Sequence, residues 1–151
     1  MPEMARALIR EQLDQGSDMV PWLRHEQFGE ELFKRQVSQY HQAPPDSWVF
    51  YDRGIPDNLG YLRRDGLPNP ALEQKAKKYP YHPRVFLLPP WPEIYDQDEE
   101  RREDQDLMRE IHETLLEIYT LFSYEIVVVP KFSPSERATY VLENILKDSP
   151  A

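Results

Sequence analysis

The sequence predicts an α/β fold with a parallel sheet. Three short runs of β-branched and aromatic residues, each closed by proline or glycine, are typical of buried strands. Stretches with apolar residues at helical spacing lie before, between and after these runs. Strands that alternate with helices form parallel sheets, in which neighbouring strands are joined by right-handed crossovers. The length of 151 residues favours a single domain over residues 1–151.

Each element has a local signal. Asn69 followed by Pro70 predicts a helix start, and Ser133 with Glu136 has the spacing of a capping box. Because the strand runs are continuously apolar, we expect strands that are buried on both faces. The last helix is expected to bury Leu142 on its apolar side. The predicted strands are 48–52, 84–88 and 124–129, and the predicted helices are 3–14, 24–41, 56–65, 69–78, 104–122 and a last one from Pro134.

The composition excludes several classes of protein. The net charge is -9 and no basic stripe is visible, which argues against nucleic acid as a partner. Cysteine is absent, so disulfides and thiolate metal sites are excluded. No apolar run approaches the ~20 residues that cross a bilayer, and the charged start has no signal-peptide pattern. We therefore expect a cytoplasmic protein without a transmembrane segment.

The first candidate site follows the predicted strand 48–52. In open parallel sheets, ligands bind at the carboxyl ends of the strands. Here that end carries Asp52 and Arg53. A single carboxylate is chemically adequate for Mg²⁺ when phosphate oxygens complete the coordination, and an arginine can bind a phosphate with two hydrogen bonds. The alternative is that Asp52 caps a turn and that Arg53 is a surface residue.

Two further charged groups are candidates. Arg101 and Arg102 end a long polar stretch after the second strand, where a lid over about 91–104 would bring guanidinium groups to a transferred phosphoryl group. The alternative is a solvated helix start in which neighbouring glutamates neutralise both arginines. Glu3 and Arg6 share one face of the first helix, and there the alternative is an exposed ion pair.

Taken in order, the motifs resemble one family. PEMARALI, WVFYDRGIPDNLGYL, RVFLLPPWPEIYDQDEERRED, YEIVVVP and SPSERATYVLENI together resemble the NadR-type AAA/P-loop domains, which are kinase-like NTPases related to ribosylnicotinamide kinases. The resemblance covers essentially the whole chain. It implies a three-layer P-loop sandwich that binds ATP or GTP with Mg²⁺, and that hydrolyses the nucleotide or phosphorylates a small acceptor.

The resemblance also implies roles for individual residues. Asp52 corresponds to the Mg²⁺-binding carboxylate, and Arg53 to a group near the acceptor. Arg101 and Arg102 correspond to the lid. The remaining matches, expected on the substrate side, are Glu3, Arg6 and Asp57.

The sequence departs from the family pattern in one respect. No Gly-x-x-x-x-Gly-Lys-Ser/Thr loop is present, and the matching central strand is missing as well. Losing three charged hydrogen bonds removes roughly 4–9 kcal/mol of binding, so we expect inactivity or very weak activity from this chain alone. The sheet would be N-terminally truncated, and its open slot would allow chains to self-associate. Three interpretations follow: an enzyme fragment, a binding module without catalysis, or an unrelated acidic interaction protein.

Overall fold

The computed structural model describes residues 1–91 and 101–146, without the side chains of 101–104 and 146. The chain divides into two compact units, Met1–Tyr81 and His82–Ala151. The first unit contains helices α1 (Met4–Asp14), α2 (Pro21–His41), α3 (Ile55–Arg64) and α4 (Pro70–Ala76). The second contains β1 (Arg84–Leu87), α5 (Arg101–Leu121), β2 (Glu125–Val128) and α6 (Pro134–Leu146).

The first unit is built around α2, against which α1 and α3 pack. Leu8 of α1 forms a buried cluster with Phe28 and Leu32 of α2. Gly29 of α2 faces α3 so closely that an added Cβ would lie 2.9 Å from Leu62 Cδ1. The small residue therefore lets α3 approach α2 closely.

An ion pair fixes α1 on α2. The guanidinium of Arg35 donates to both carboxylate oxygens of Glu11, at 2.6 and 2.9 Å. The bond to Arg35 lowers the pKa of Glu11, and the same bond raises the pKa of Arg35. A bidentate ion pair has a defined direction, so it fixes the position of α1 along α2. Glu3, which directly precedes α1, is positioned with it.

The second unit contains a two-stranded parallel sheet. β1 pairs with β2 in parallel, from Arg84 opposite Glu125 to Leu87 opposite Val128. α5 connects the two strands and packs against β2. This β–α–β order confirms the predicted α/β class and the parallel direction of the strands at 84–88 and 124–129.

Two expectations about the strands were wrong. Residues 48–52 do not form a regular strand, and Trp48 and Phe50 are each 51% exposed. Nor are the two strands buried on both faces, since Val128 is 47% exposed. In the described part of the chain the sheet has two strands, so it lacks the neighbours that bury a central parallel strand. Leu142 of α6, expected in the core, is 51% exposed.

The predicted helix starts are largely confirmed. The Leu72 N–H donates to Asn69 Oδ1 at 3.0 Å, which caps α4. The Ser133 N–H donates to Glu136 Oε2 at 3.0 Å, and the Glu136 N–H donates to Ser133 Oγ at 3.4 Å, which completes the predicted box. α2 begins earlier than expected and has a kink at Arg24. Within the described residues, every helix is too short or too polar to cross a membrane.

Candidate functional site

The segment before α3 is held beside the start of the chain by two backbone hydrogen bonds. The Met1 amino group donates to the Phe50 carbonyl at 2.6 Å, and the Asp52 N–H donates to the Met1 carbonyl at 3.0 Å. This is the hydrogen-bond pattern of one step between parallel strands. It places Pro2 and Glu3 next to the turn that carries Asp52.

Arg53 occupies a strained turn. Its φ is 68°, in the left-handed region that non-glycine residues rarely adopt. Asp57 stabilises this turn from one helical turn ahead. Its Oδ2 accepts the Gly54 N–H at 2.8 Å, and its Oδ1 accepts Arg53 Nη1 at 3.3 Å. Asp57 is 4% exposed, so its carboxylate is a buried cap that fixes the conformation of Arg53.

The N-terminus of α3 has few free donors. The Gly54 N–H is bound to Asp57, the Ile55 N–H donates to the Tyr81 hydroxyl at 3.2 Å, and Pro56 has no N–H. A helix start that is satisfied in this way is poorly suited to bind an anion through its backbone. Any phosphate bound at this turn would therefore depend on the Arg53 side chain.

The charges of α1 and α3 meet around Arg53. Burial opposes the charge of this guanidinium, but Tyr61, Asp57 and Glu3 outweigh it and raise the pKa of Arg53. The guanidinium remains reachable, because 39% of the side chain is exposed. Arg6 Nε lies 3.5 Å from Glu3 Oε2, and the Arg6 side chain is largely exposed. The structure therefore shows the exposed ion pair that was the alternative interpretation of these two residues.

Tyr61 belongs to the same group of charges and was missing from the predicted set. Burial raises the pKa of the Tyr61 phenol, and the charge of Arg53 partly counteracts this. The Arg64 guanidinium lies over its ring, 5.4 Å from the centroid. The signal was available in the sequence, because Tyr61 follows Asp57 by four residues and therefore shares its face of α3.

Asp52 is exposed at the turn. No group of three or more His, Asp or Glu side chains that could hold a metal ion occurs among the described residues. A single exposed carboxylate does not form a metal cage, but it fits the mode in which Mg²⁺ binds one or two carboxylates and takes its other ligands from phosphate and water. Asp52 therefore fits a magnesium–nucleotide complex better than a free Mg²⁺ ion.

The predicted lid is described only in part. Residues 92–100 lie outside the described residues, and so do the side chains of Arg101 and Arg102, whose backbone opens α5. Of the predicted site residues, Glu3, Arg53 and Asp57 belong to one group of interacting charges. Asp52 directly precedes Arg53 in the chain, and Arg6 pairs with Glu3. That Arg101 and Arg102 converge with them stays a prediction.

A parallel β–α–β unit, such as the one formed by β1, α5 and β2, is the building block of α/β nucleotide-binding domains. The family model described as AAA domain matches residues 1–137, and the chain belongs to this family. Family membership indicates a nucleotide-binding, NTPase- or kinase-like function, and domains of this kind generally use Mg²⁺ with the nucleotide. Because the family model matches residues 1–137, the resemblance to an AAA domain is not accidental. No curated protein and no solved structure shows a significant match.

Proposed function

We propose that this chain is a NadR-type nucleotide-binding domain that acts on ATP or GTP with Mg²⁺ and transfers the phosphoryl group to a small acceptor or to water. The supporting observation is the turn at 52–54. There, Asp52 carries an exposed carboxylate, and the next residue, Arg53, carries a partly exposed guanidinium that interacts electrostatically with Glu3. Such a pair suits phosphoryl transfer, in which catalysis is mainly positioning and charge neutralisation.

Each residue has a distinct role in this proposal. Asp52 would hold Mg²⁺, which when bound would neutralise charge on the phosphate oxygens. Arg53 would donate to a phosphate or to the acceptor, and Asp57 would keep it in position. Glu3 and Arg6 would border the acceptor. Arg101 and Arg102 would stabilise the charge that develops on the transferred group.

The proposal includes weak binding by this polypeptide alone. The sequence contains no glycine-rich Lys-Ser/Thr loop, which in P-loop proteins supplies most contacts to the phosphates. The same observation favours a second candidate, a module that binds a nucleotide without turning it over. Phosphate release from Mg²⁺·ATP separates the two, because the second candidate predicts binding with no release above a protein-free control.

The proposal also includes self-association through the sheet. Among the described residues β1 is paired with β2 alone, so its other edge has no described strand. Exposed strand edges are templates for pairing with another chain. Light scattering over a range of protein concentrations would test this. A monomer at the highest concentration would argue against it.

The role of Asp52 is tested by titrating Mg²⁺·ATP while following backbone amide signals by NMR. With Mn²⁺ in place of Mg²⁺, we expect paramagnetic broadening centred on residues 50–54. Asp52→Asn should remove this broadening, because the amide is a far weaker ligand. Asp46→Asn, another exposed aspartate of the first unit, is the matched control and should leave it unchanged. Equal broadening in wild type and Asp52→Asn would remove Asp52 from the metal site.

The lid is tested separately. Changing both Arg101 and Arg102 to alanine should weaken Mg²⁺·ATP binding by about tenfold or more, because each charged hydrogen bond contributes roughly 1.5–3 kcal/mol. Arg109→Ala is the matched control, since Arg109 lies on the same helix and is 68% exposed. If the double variant and the control bind equally well, the lid assignment is wrong.

A further inference from the structure

Two buried glutamines of α2 reach the two backbone segments of the candidate site. Gln36 Nε2 donates to the Gly54 carbonyl at 2.9 Å, and Gln39 Nε2 donates to the Pro2 carbonyl at 2.9 Å. Gln36 is 4% exposed and Gln39 is 7% exposed. One carbonyl directly follows Arg53 and the other directly precedes Glu3. The glutamines are three residues apart, so they act from the same face of α2.

The Gln36 amide is only partly satisfied. Its Oε1 is buried and has no hydrogen-bond partner among the described residues. A buried, unpaired acceptor costs at least as much free energy as an ordinary hydrogen bond contributes, so the amide as a whole adds little to net stability. What the amide does supply is direction, since it fixes where the Gly54 carbonyl points and therefore restrains the strained residue before it.

We infer that Gln36 and Gln39 are positioning residues, which hold the backbone beside Arg53 and Glu3 so that both side chains are presented to a ligand. This inference rests on the proposed function, because it assumes that Arg53 and Glu3 contact the ligand. The segments are also tied to each other by the hydrogen bonds of Met1 with Phe50 and Asp52. α2 thus anchors both sides of one pre-organised turn.

The inference is tested with Gln36→Met and Gln39→Met, which keep the length of the side chain and remove the donor. Gln12→Met is the matched control, because Gln12 is also a buried glutamine, at 6% exposed, but lies on α1 and makes neither bond. Mg²⁺·ATP is the probe. We expect Gln36→Met and Gln39→Met each to weaken its binding about fivefold or more, in Gln36→Met with little change in melting temperature. Gln12→Met should leave binding unchanged. Gln36→Asn, which retains an amide, is the milder variant if Gln36→Met does not fold.

A double-mutant cycle separates positioning from general structure. If Gln36 acts through Arg53, Gln36→Met should cause no further loss of Mg²⁺·ATP binding in an Arg53→Ala background. Additive losses would overturn the inference.

A measurement without ligand separates this inference from the proposed function. The NMR order parameter of the Arg53 Nε–H should fall in Gln36→Met and stay unchanged in Gln12→Met. If wild type does not bind Mg²⁺·ATP, the proposed function fails, and the order parameter still decides whether Gln36 positions Arg53. An unchanged order parameter in Gln36→Met would overturn the inference even if wild type binds.

Discussion

The two units of the chain bury different kinds of side chain. Among the described residues, the buried polar ones all belong to the first unit: Gln12, Gln36, Gln39, Asp57 and Asn58. The buried residues of the second unit are the aliphatic and aromatic side chains Leu87, Leu115, Ile118, Tyr119, Val129 and Ile145. A buried polar group costs free energy unless it is hydrogen-bonded, so this cost falls on fully buried side chains in the first unit. In the second unit it falls on buried atoms of partly buried side chains such as His112 and Arg137.

The difference shows what the buried polar residues do. Asn58 Nδ2 donates to the Gly29 carbonyl at 2.8 Å, and Gln36 donates to Gly54. These two bonds, like the one that Asp57 accepts from the Gly54 N–H, involve backbone groups that lie within α2 or directly before α3. An apolar core would stabilise the same helices without specifying their positions so closely. The unit that carries the candidate turn therefore has directional contacts made by fully buried amide and carboxylate side chains.

The largest expected effect tests whether the first unit also depends on its apolar core. Leu59 of α3 is 1% exposed, so Leu59→Ala should lower the free energy of unfolding of the first unit by about 2–5 kcal/mol, through lost burial and the cavity that remains. Hydrogen exchange resolved by residue is the measurement, because it reports the two units separately.

The control for this prediction lies in the second unit. Leu142→Ala on α6 removes the same atoms from a side chain that is 51% exposed, so it should cost far less. If Leu59→Ala changed hydrogen exchange equally in both units, the units would unfold together. Their stabilities could then not be compared separately.

The second prediction compares the helix caps of the two units. Asp57→Ala should destabilise the first unit by about 1–3 kcal/mol, because it leaves the buried Gly54 N–H without its acceptor. Ser133→Ala disrupts the corresponding box at α6, where both partners are exposed and water can replace them, so its cost should be smaller. Melting curves of both variants check this order, and a larger loss in Ser133→Ala would reverse it.

How far the sequence predicted this molecule depends on the range of the interactions. The caps at Asn69 and Ser133 were predictable because each depends on residues at most three positions apart. The parallel strands at 84–88 and 124–129 were predictable from their apolar runs. The run at 48–52 has the same pattern, but its backbone hydrogen-bonds to Met1, at the start of the chain, which no local pattern reveals.

The candidate site was predictable to a similar extent. Asp52, Arg53 and Asp57 lie in one short motif, so their proximity followed from the sequence. Their hydrogen bonds did not, because the positive φ of Arg53 and the burial of Asp57 depend on packing against α2. The contacts of Gln36 and Gln39 cross 18 and 37 residues, respectively, and a helical pattern gives no sign of which backbone atoms a buried amide reaches.

The third prediction uses two non-glycine residues with positive φ, Arg53 in the first unit and Ser123 in the second. Ser123 lies just beyond the end of α5 with φ 63°, and Ser123→Gly should stabilise the second unit by up to about 1 kcal/mol, because glycine adopts this conformation without strain. Arg53→Gly should gain less, because it also loses the bond to Asp57. Thermal unfolding measures both.

The comparison of these two variants addresses function as well. Strained conformations that persist in a protein are concentrated at functional sites. We expect Arg53→Gly to lose Mg²⁺·ATP binding and Ser123→Gly to retain it. If Arg53→Gly binds as wild type does, the strain at residue 53 has no connection with the ligand.

The smallest expected effect concerns acid stability at α6. The hydroxyl and the N–H of Ser133 donate to Glu136 and lower its pKa below the ordinary value of 4.5. A group whose pKa is lowered by folding stabilises the folded state above its unfolded pKa, and this contribution is lost as the pH falls through the lowered value. Glu136→Gln should therefore reduce the loss of α6 protection from hydrogen exchange below pH 4.5, whereas Glu143→Gln, on the same helix but outside the box, should not. Because both side chains of this box are exposed, the effect should be small, and it should be weaker at high salt. Asp57 in the first unit is buried, so salt should hardly change the stability that its hydrogen bonds contribute. Equal acid sensitivity in wild type and Glu136→Gln would show that the box does not hold α6 in solution.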